Sequence, residues 1–180
     1  AFDPNGTVTA GNASQLSDGA SAVVVMSRAE AERRGVTPLG EFVSYGMVAG
    51  PDNASLLHQP SRAVMKAAER AGIAVSDLDL FELNEAFAAV GIASMRDLGI
   101  DDDVVNVNGG AIALGHPIGC TGARIATTLL HEMQLVHLEQ KTVEQLLGAG
   151  RLPRLPWVHR RQGEIGNQRR RQARGDAVAR

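Results

Sequence analysis

Aromatic residues are scarce in this chain, at 3% of 180 positions, and cysteine occurs once, as Cys120. A single cysteine excludes an intramolecular disulfide framework and any multi-cysteine zinc site. Long apolar runs are also missing. The longest, such as Ala22–Met26, fall far short of the ~18 residues a membrane-spanning helix needs. The opening Ala1-Phe2-Asp3-Pro4 shows neither the basic n-region nor the apolar h-region of a secretory signal. The chain therefore reads as a soluble, cytoplasmic-type protein with no membrane segment. Its length is about one domain's worth, enough to bury roughly two-thirds of its unfolded surface. A hydrophobic share of 44% with 20 glycines is ordinary α/β composition, which excludes collagen, coiled coil and wholesale disorder.

The net charge of -2 hides two unlike segments. Residues 1–150 hold nine basic and eighteen acidic side chains, whereas residues 151–180 hold nine arginines and only two acids, Glu164 and Asp176. That tail includes Arg169-Arg170-Arg171, two prolines and three glycines, with no helical or strand period. Such a segment buries too little to offset its ordering entropy, so it is expected to be disordered on its own. A basic arm can bind nucleic acid through phosphates, but a solvated tail outside the fold is the reading favoured here.

Four apolar stretches predict strands. Ala22–Met26 is a continuous run suited to a strand buried on both faces. Glu41–Ala49, Asp79–Leu83 and Val104–Val107 follow. Between them, Ser27-Arg28-Ala29-Glu30 fits a capping box, which predicts a helix over 28–34 ending at Gly35. Ser61 predicts the cap of a helix running to Ala71 and stopped by Gly72. Helical spacing of Phe87, Ala88, Gly91, Ile92 and Met95 predicts a helix over 85–98 closed by Gly99. A last helix is expected from about Gly119 to Met133. Strands alternating with helices indicate a layered α/β fold with a mostly parallel sheet. In such sheets reactive groups collect at the carboxyl ends of strands.

Two of those ends are chemically loaded: Leu83-Asn84-Glu85-Ala86-Phe87, and the stretch from Asn106 to Gly122. The second carries five glycines between Gly109 and Gly122, which let the backbone turn tightly or approach a ligand closely. His116 sits between Gly115 and Pro117, just ahead of a helix. The positive end of a helix favours neutral imidazole, able to act as a base or a donor, and its free N–H groups suit a developing negative charge. A tight turn with an incidental histidine is the plain alternative, weakened by Asn84 at the neighbouring strand end. The loop is neither a phosphate-binding G-x-x-x-x-G-K-[ST] nor a G-x-S-x-G nucleophile elbow.

Asn84-Glu85-Ala86-Phe87, followed by Asn106-x-x-Gly109-Gly110-x-Ile112-Ala113-x-Gly115-His116-Pro117-x-Gly119-x-Thr121-Gly122, resembles the carboxyl-terminal half of the thiolases. Those are acetyl-CoA acetyltransferases and 3-ketoacyl-CoA thiolases. Ala10-Gly11-Asn12-Ala13-Ser14 with Asp18-Gly19-Ala20 adds a third signature in the right order. The resemblance implies a thiolase-like layered fold lacking its closing strands, with residues 1–134 as an incomplete carboxyl-terminal domain. Residues 135–150 are left as an uncertain stretch that Leu138, Val143, Leu146 and Leu147 could make helical. It implies that His116 activates an acylated cysteine and helps hold a thioester oxyanion, and that Asn84 positions a water in the same hole. Ser14 would contact the pantetheine of coenzyme A. Phe87 would line the acyl pocket, although its periodicity alone fits plain core, and Gly115 lies on the same substrate-binding side. Cys120 falls at a variable, non-catalytic position. Coenzyme A thioesters are the implied substrates, with no further cofactor and no metal, and the intact family forms homo-oligomers.

Both cysteines of thiolase chemistry are absent. The nucleophile belongs to the amino-terminal half, which is expected to be missing. The second belongs to a Cys-Gly-Gly-Gly-x-Gly stretch, in whose neighbourhood Gln145-Leu146-Leu147-Gly148-Ala149-Gly150 stands instead. The resemblance is expected to stop after Gln134, and an end read out of frame would explain the change of pattern. The competing readings are an inactive partial acyltransferase and a non-catalytic module that holds acyl-CoA or lipid.

Overall fold

The structure is a computed structural model that describes residues 3–50 and 56–146, with side chains described to Leu135. Residues up to Leu138 form one compact unit, which contains every candidate site residue. Of the second unit, Glu139–Arg180, residues 139–146 are helical, and the Arg-rich tail lies outside the described residues. Among the described residues there are five α-helices: α1 Arg28–Arg34, α2 Gln59–Ala71, α3 Ala88–Leu98, α4 Ala111–Leu114 and α5 Thr121–Leu146. No described helix is long and apolar enough to cross a membrane.

Local chemistry explains the helix boundaries. Ser27 Oγ accepts the Glu30 N–H at 3.2 Å, which is half of a capping box. The other half is not made, because the Glu30 carboxylate turns to Arg33 and Arg34. Helices α1, α2 and α3 each end at a glycine in the left-handed conformation, namely Gly35, Gly72 and Gly99.

Ser61 does not cap α2. The helix starts two residues earlier with Pro60 in its first turn, and the fully buried Ser61 hydroxyl donates to the Asp97 carboxylate of α3 at 2.6 Å, with the His58 carbonyl 2.9 Å away. His58 Nδ1 meets the same Asp97 oxygen at 2.7 Å. This clamp fixes the rotation of α3. Val90, Gly91 and Ser94 face inward, on the side of Asp97, whereas Ile92 stays 45% exposed, so the expected buried stripe is shifted round the helix. Ser61→Ala should cost about 0.5–1.5 kcal/mol in urea denaturation, since it removes the hydrogen bond that the buried Ser61 hydroxyl donates to the partly exposed Asp97 carboxylate. The Ser61 hydroxyl and His58 hold Asp97 below the usual carboxylate range. The clamp's stabilisation is therefore present above the unfolded carboxylate pKa and is lost as pH falls through the depressed value.

The predicted strands do not assemble into a ladder among the described residues. Two isolated bridges occur, Ala13 with Phe87 (antiparallel) and Phe81 with Val105 (parallel). The second joins two of the expected strands in the expected sense. Residues 22–26 belong to no helix or strand and have no backbone partner among the described residues, and Val24 is 86% exposed. Residues 41–49 likewise belong to no helix or strand, and alternate carbonyls are taken by a helix. Arg62, Lys66 and Arg70 of α2 donate to the carbonyls of Ala49, Met47 and Tyr45 at 3.4, 2.7 and 2.9 Å. Four helical residues advance about 6 Å and two extended residues about 6.6 Å, so the cations match every second carbonyl. Arg70 also lies 4.9 Å over the Tyr45 ring.

Candidate active site

The site is built around the Phe81–Val105 bridge. Phe81 N–H donates to the Val104 carbonyl and Asn106 N–H to the Phe81 carbonyl, both at 2.9 Å. At Asn106 the backbone turns to φ 48°, a conformation asparagine tolerates better than most residues. Its side chain then replaces the next backbone rung. Oδ1 accepts the Leu83 N–H at 2.8 Å, and Nδ2 donates to the Leu83 carbonyl at 3.0 Å and to Glu85 Oε1 at 2.6 Å. The second Glu85 oxygen accepts the Ile112 N–H at the start of α4. Any side chain at position 110 would collide with this carboxylate, so Gly110 admits Glu85 by having none. Glu85 thus ties the two loaded junctions together. α3 begins at Ala88 rather than at Glu85, because Phe87 is extended and bridged to Ala13.

These ties place Asn84 and His116 side by side. Asn84 Nδ2 lies 3.3 Å from His116 Nε2, and Asn84 Oδ1 is buried without a hydrogen-bond partner. On the far side of the ring, Nδ1 is 2.8 Å from Thr121 Oγ1. Gly115 reaches this turn at φ 98°, where a side chain would be strained and would strike Ser17. The 12–17 segment closes a third side. Ser14 N–H and Oγ both reach the Ala86 carbonyl at 3.0 Å, and the Ala88 N–H reaches Asn12. Phe87 is 36% exposed rather than core. The three signatures, separate in sequence, therefore meet. A shallow groove of about 440 Å³ runs between residues 17–21 and 117–120, with buried Cys120 in its wall. Neither Asn84 nor His116 lines that groove.

A buried acidic cluster lies behind the loops. Glu82 faces Arg124 at 3.6 Å, and the Glu82 side chain is only 4% exposed. Burial pushes the Glu82 carboxyl up to about 7; Arg124 opposes this, and Glu85 and Glu132 add to it. Because the folded protein holds this proton more tightly than the unfolded chain does, the contribution is full below the unfolded value near 4.5 and is lost as pH rises through about 7. Glu82→Gln is expected to flatten that fall, as read from melting temperatures across the window.

Sequence reading named Asn84, His116, Ser14, Phe87 and Gly115 but gave no role to Asn106, Glu85 or Thr121. The available signal for Asn106 was an asparagine closing an apolar run, three residues ahead of a glycine, where a positive φ is called for.

The family model described as "Thiolase, C-terminal domain" matches residues 36–151, well over half of the chain, and "Thiolase, N-terminal domain" matches residues 1–29. The chain belongs to the thiolase family. A probable acetyl-CoA acetyltransferase of Mycolicibacterium smegmatis is 60% identical over 126 residues, covering 70% of this chain and 32% of the relative. A probable acetyl-CoA acetyltransferase of Mycobacterium tuberculosis is 53% identical over 151 residues, covering 83% of this chain and 38% of the relative. The crystal structure of human mitochondrial 3-ketoacyl-CoA thiolase in complex with CoA superposes with a TM-score of 0.70 at 46% identity, over 74% of this chain and 34% of that one. The fold is thus thiolase-like. This thiolase chain spans about a third of the length of the curated relatives it matches. Two expectations shift. The first 29 residues match the amino-terminal rather than the carboxyl-terminal domain. The likeness also runs on to residue 151 instead of stopping at Gln134.

Proposed function

We propose that this chain carries one wall of a thiolase-type acyl-transfer site, for Claisen condensation of acyl-CoA and thiolysis of 3-ketoacyl-CoA. The observation that carries this reading is the Asn84–His116 pair, 3.3 Å apart at the meeting of two strand-end loops. Thioester chemistry passes through oxyanions and enolates, which prearranged donors stabilise, and acyl transfer needs a thiolate with a base beside it. In this reading His116 activates the cysteine and binds the thioester oxygen. Asn84 anchors a water that donates to the same oxygen. Ser14 faces the pantetheine arm, Gly115 lets the substrate approach the backbone, and the half-exposed Phe87 ring borders the acyl group. Coenzyme A thioesters are the substrates, and no other cofactor or metal is required.

The cysteines come from outside this sequence, since Cys120 is its only one, is buried and lies in the wall of a groove that neither Asn84 nor His116 lines. The working assembly is a homo-oligomeric cytoplasmic enzyme in which residues 22–26 and 41–49 serve as strands of a mostly parallel sheet covered by helices on both faces. The exposed valines of 22–26 support that assignment. Acetoacetyl-CoA thiolysis by the purified chain, with coenzyme A titration by calorimetry, tests this account. The expected result is no turnover. Turnover abolished by His116→Ala would contradict the requirement for an outside cysteine. Coenzyme A binding that is unchanged by Ser14→Ala and by Phe87→Ala would contradict the proposed substrate side.

A further inference from the structure

The polar contacts of Thr121 account for a feature of His116 that the acyl-transfer reading does not assign. Thr121 opens α5 and is 6% exposed. Its Oγ1 lies 2.8 Å from His116 Nδ1 and 3.0 Å from the Pro117 carbonyl oxygen. The hydroxyl has one proton. A carbonyl oxygen only accepts, and a threonine in the first turn of a helix commonly donates to the carbonyl four residues back. With its proton committed to Pro117, Oγ1 offers a lone pair to the imidazole, and the matching ring atom is Nδ1–H. The other ring nitrogen, Nε2, then carries no proton and accepts from Asn84 Nδ2–H. All three contacts become proper hydrogen bonds. The opposite tautomer would leave the 3.0 Å contact between Thr121 Oγ1 and the Pro117 oxygen without a proton between them.

We infer that Thr121 is a positioning residue that fixes His116 as the Nδ1–H tautomer, keeping the Nε2 lone pair directed toward Asn84. The inference rests on the acyl-transfer reading for its purpose. Its geometry stands without it. A base at Nε2 needs this tautomer, and the ring's other hydrogen bond selects it. When Nε2 gains a proton, the Nδ1–H bond to Thr121 is retained, so the ring need not move.

The test is tautomer assignment by long-range ¹H–¹⁵N correlation on the labelled full chain, above the ~6.5 at which a free imidazole titrates. His116→Gln identifies which of the five histidines is meant. Wild type is expected to show His116 mainly as Nδ1–H. Thr121→Ser is expected to keep that pattern. Thr121→Val is expected to move His116 mainly to the Nε2–H form that free imidazole prefers. A wild-type His116 with a protonated Nε2 overturns the inference, as does a folded Thr121→Val protein with unchanged tautomer. Should Thr121→Val not fold, the wild-type and Thr121→Ser spectra decide. No coenzyme A is present, so failure here is separate from failure of the acyl-transfer reading.

Discussion

Asn106→Ala is expected to destabilise the folded chain by about 3–5 kcal/mol, the largest single effect outside the core. Asn106 is 9% exposed, and its amide makes three hydrogen bonds, two to Leu83 and one to Glu85. Truncation leaves the Leu83 N–H and carbonyl and a Glu85 oxygen without these partners, and a buried group left unmade costs about 1–3 kcal/mol. Alanine also tolerates the φ of 48° less well than asparagine does. Asn106→Asp should be nearly as severe despite its equal size, because it replaces the donor at Glu85 with a second acceptor. Urea denaturation with both variants checks this. An Asn106→Ala loss under 1 kcal/mol would mean that the side chain does not stand in for a sheet rung.

The second large effect concerns His116. In a hybrid enzyme, residues 10–121 of this chain would replace the matching segment of the Mycolicibacterium smegmatis relative, which then supplies the cysteines proposed to act with them. His116→Ala in that hybrid is expected to lower kcat for thiolysis by about 10²–10⁴-fold, the usual worth of a positioned base. Asn84→Ala is expected to cost about 10²–10³-fold, the scale for losing one oxyanion donor. Both variants should leave the melting temperature within a few degrees of the parent, as neither residue is buried in the core. Equal activity of the His116→Ala hybrid and its parent would remove the histidine from the chemistry.

Helices were legible because their signals are local. Ser27 and Gly35 bound α1, and Gly72 and Gly99 close α2 and α3, each within a few residues of the element it ends. Asn84 and His116 were picked out as candidates at two strand ends and given roles by the resemblance of the loop signature to the thiolases, and the structure brings the two side chains to 3.3 Å. What was not legible depends on partners distant in sequence. Ser61 looked like a cap, but Asp97, 36 residues away, claims its hydroxyl. Glu85 looked like the first turn of a helix, yet its carboxylate is held by Asn106 and Ile112. The strand pattern of 41–49 says that the segment is extended but not what takes its carbonyls, and on one edge the takers are arginines and a lysine of α2. Thr121 sits inside the loop signature, but its link to His116 shows only once the turn is folded.

The central proposal is that residues from the 12–17, 84–88 and 115–121 segments form one wall of an acyl-transfer site whose two cysteines come from outside this sequence. Acetoacetyl-CoA thiolysis by the hybrid carrying residues 10–121 tests it most directly. The account predicts turnover within about tenfold of the parent relative. A folded hybrid that binds coenzyme A as the parent does, yet cleaves no acetoacetyl-CoA, would contradict it.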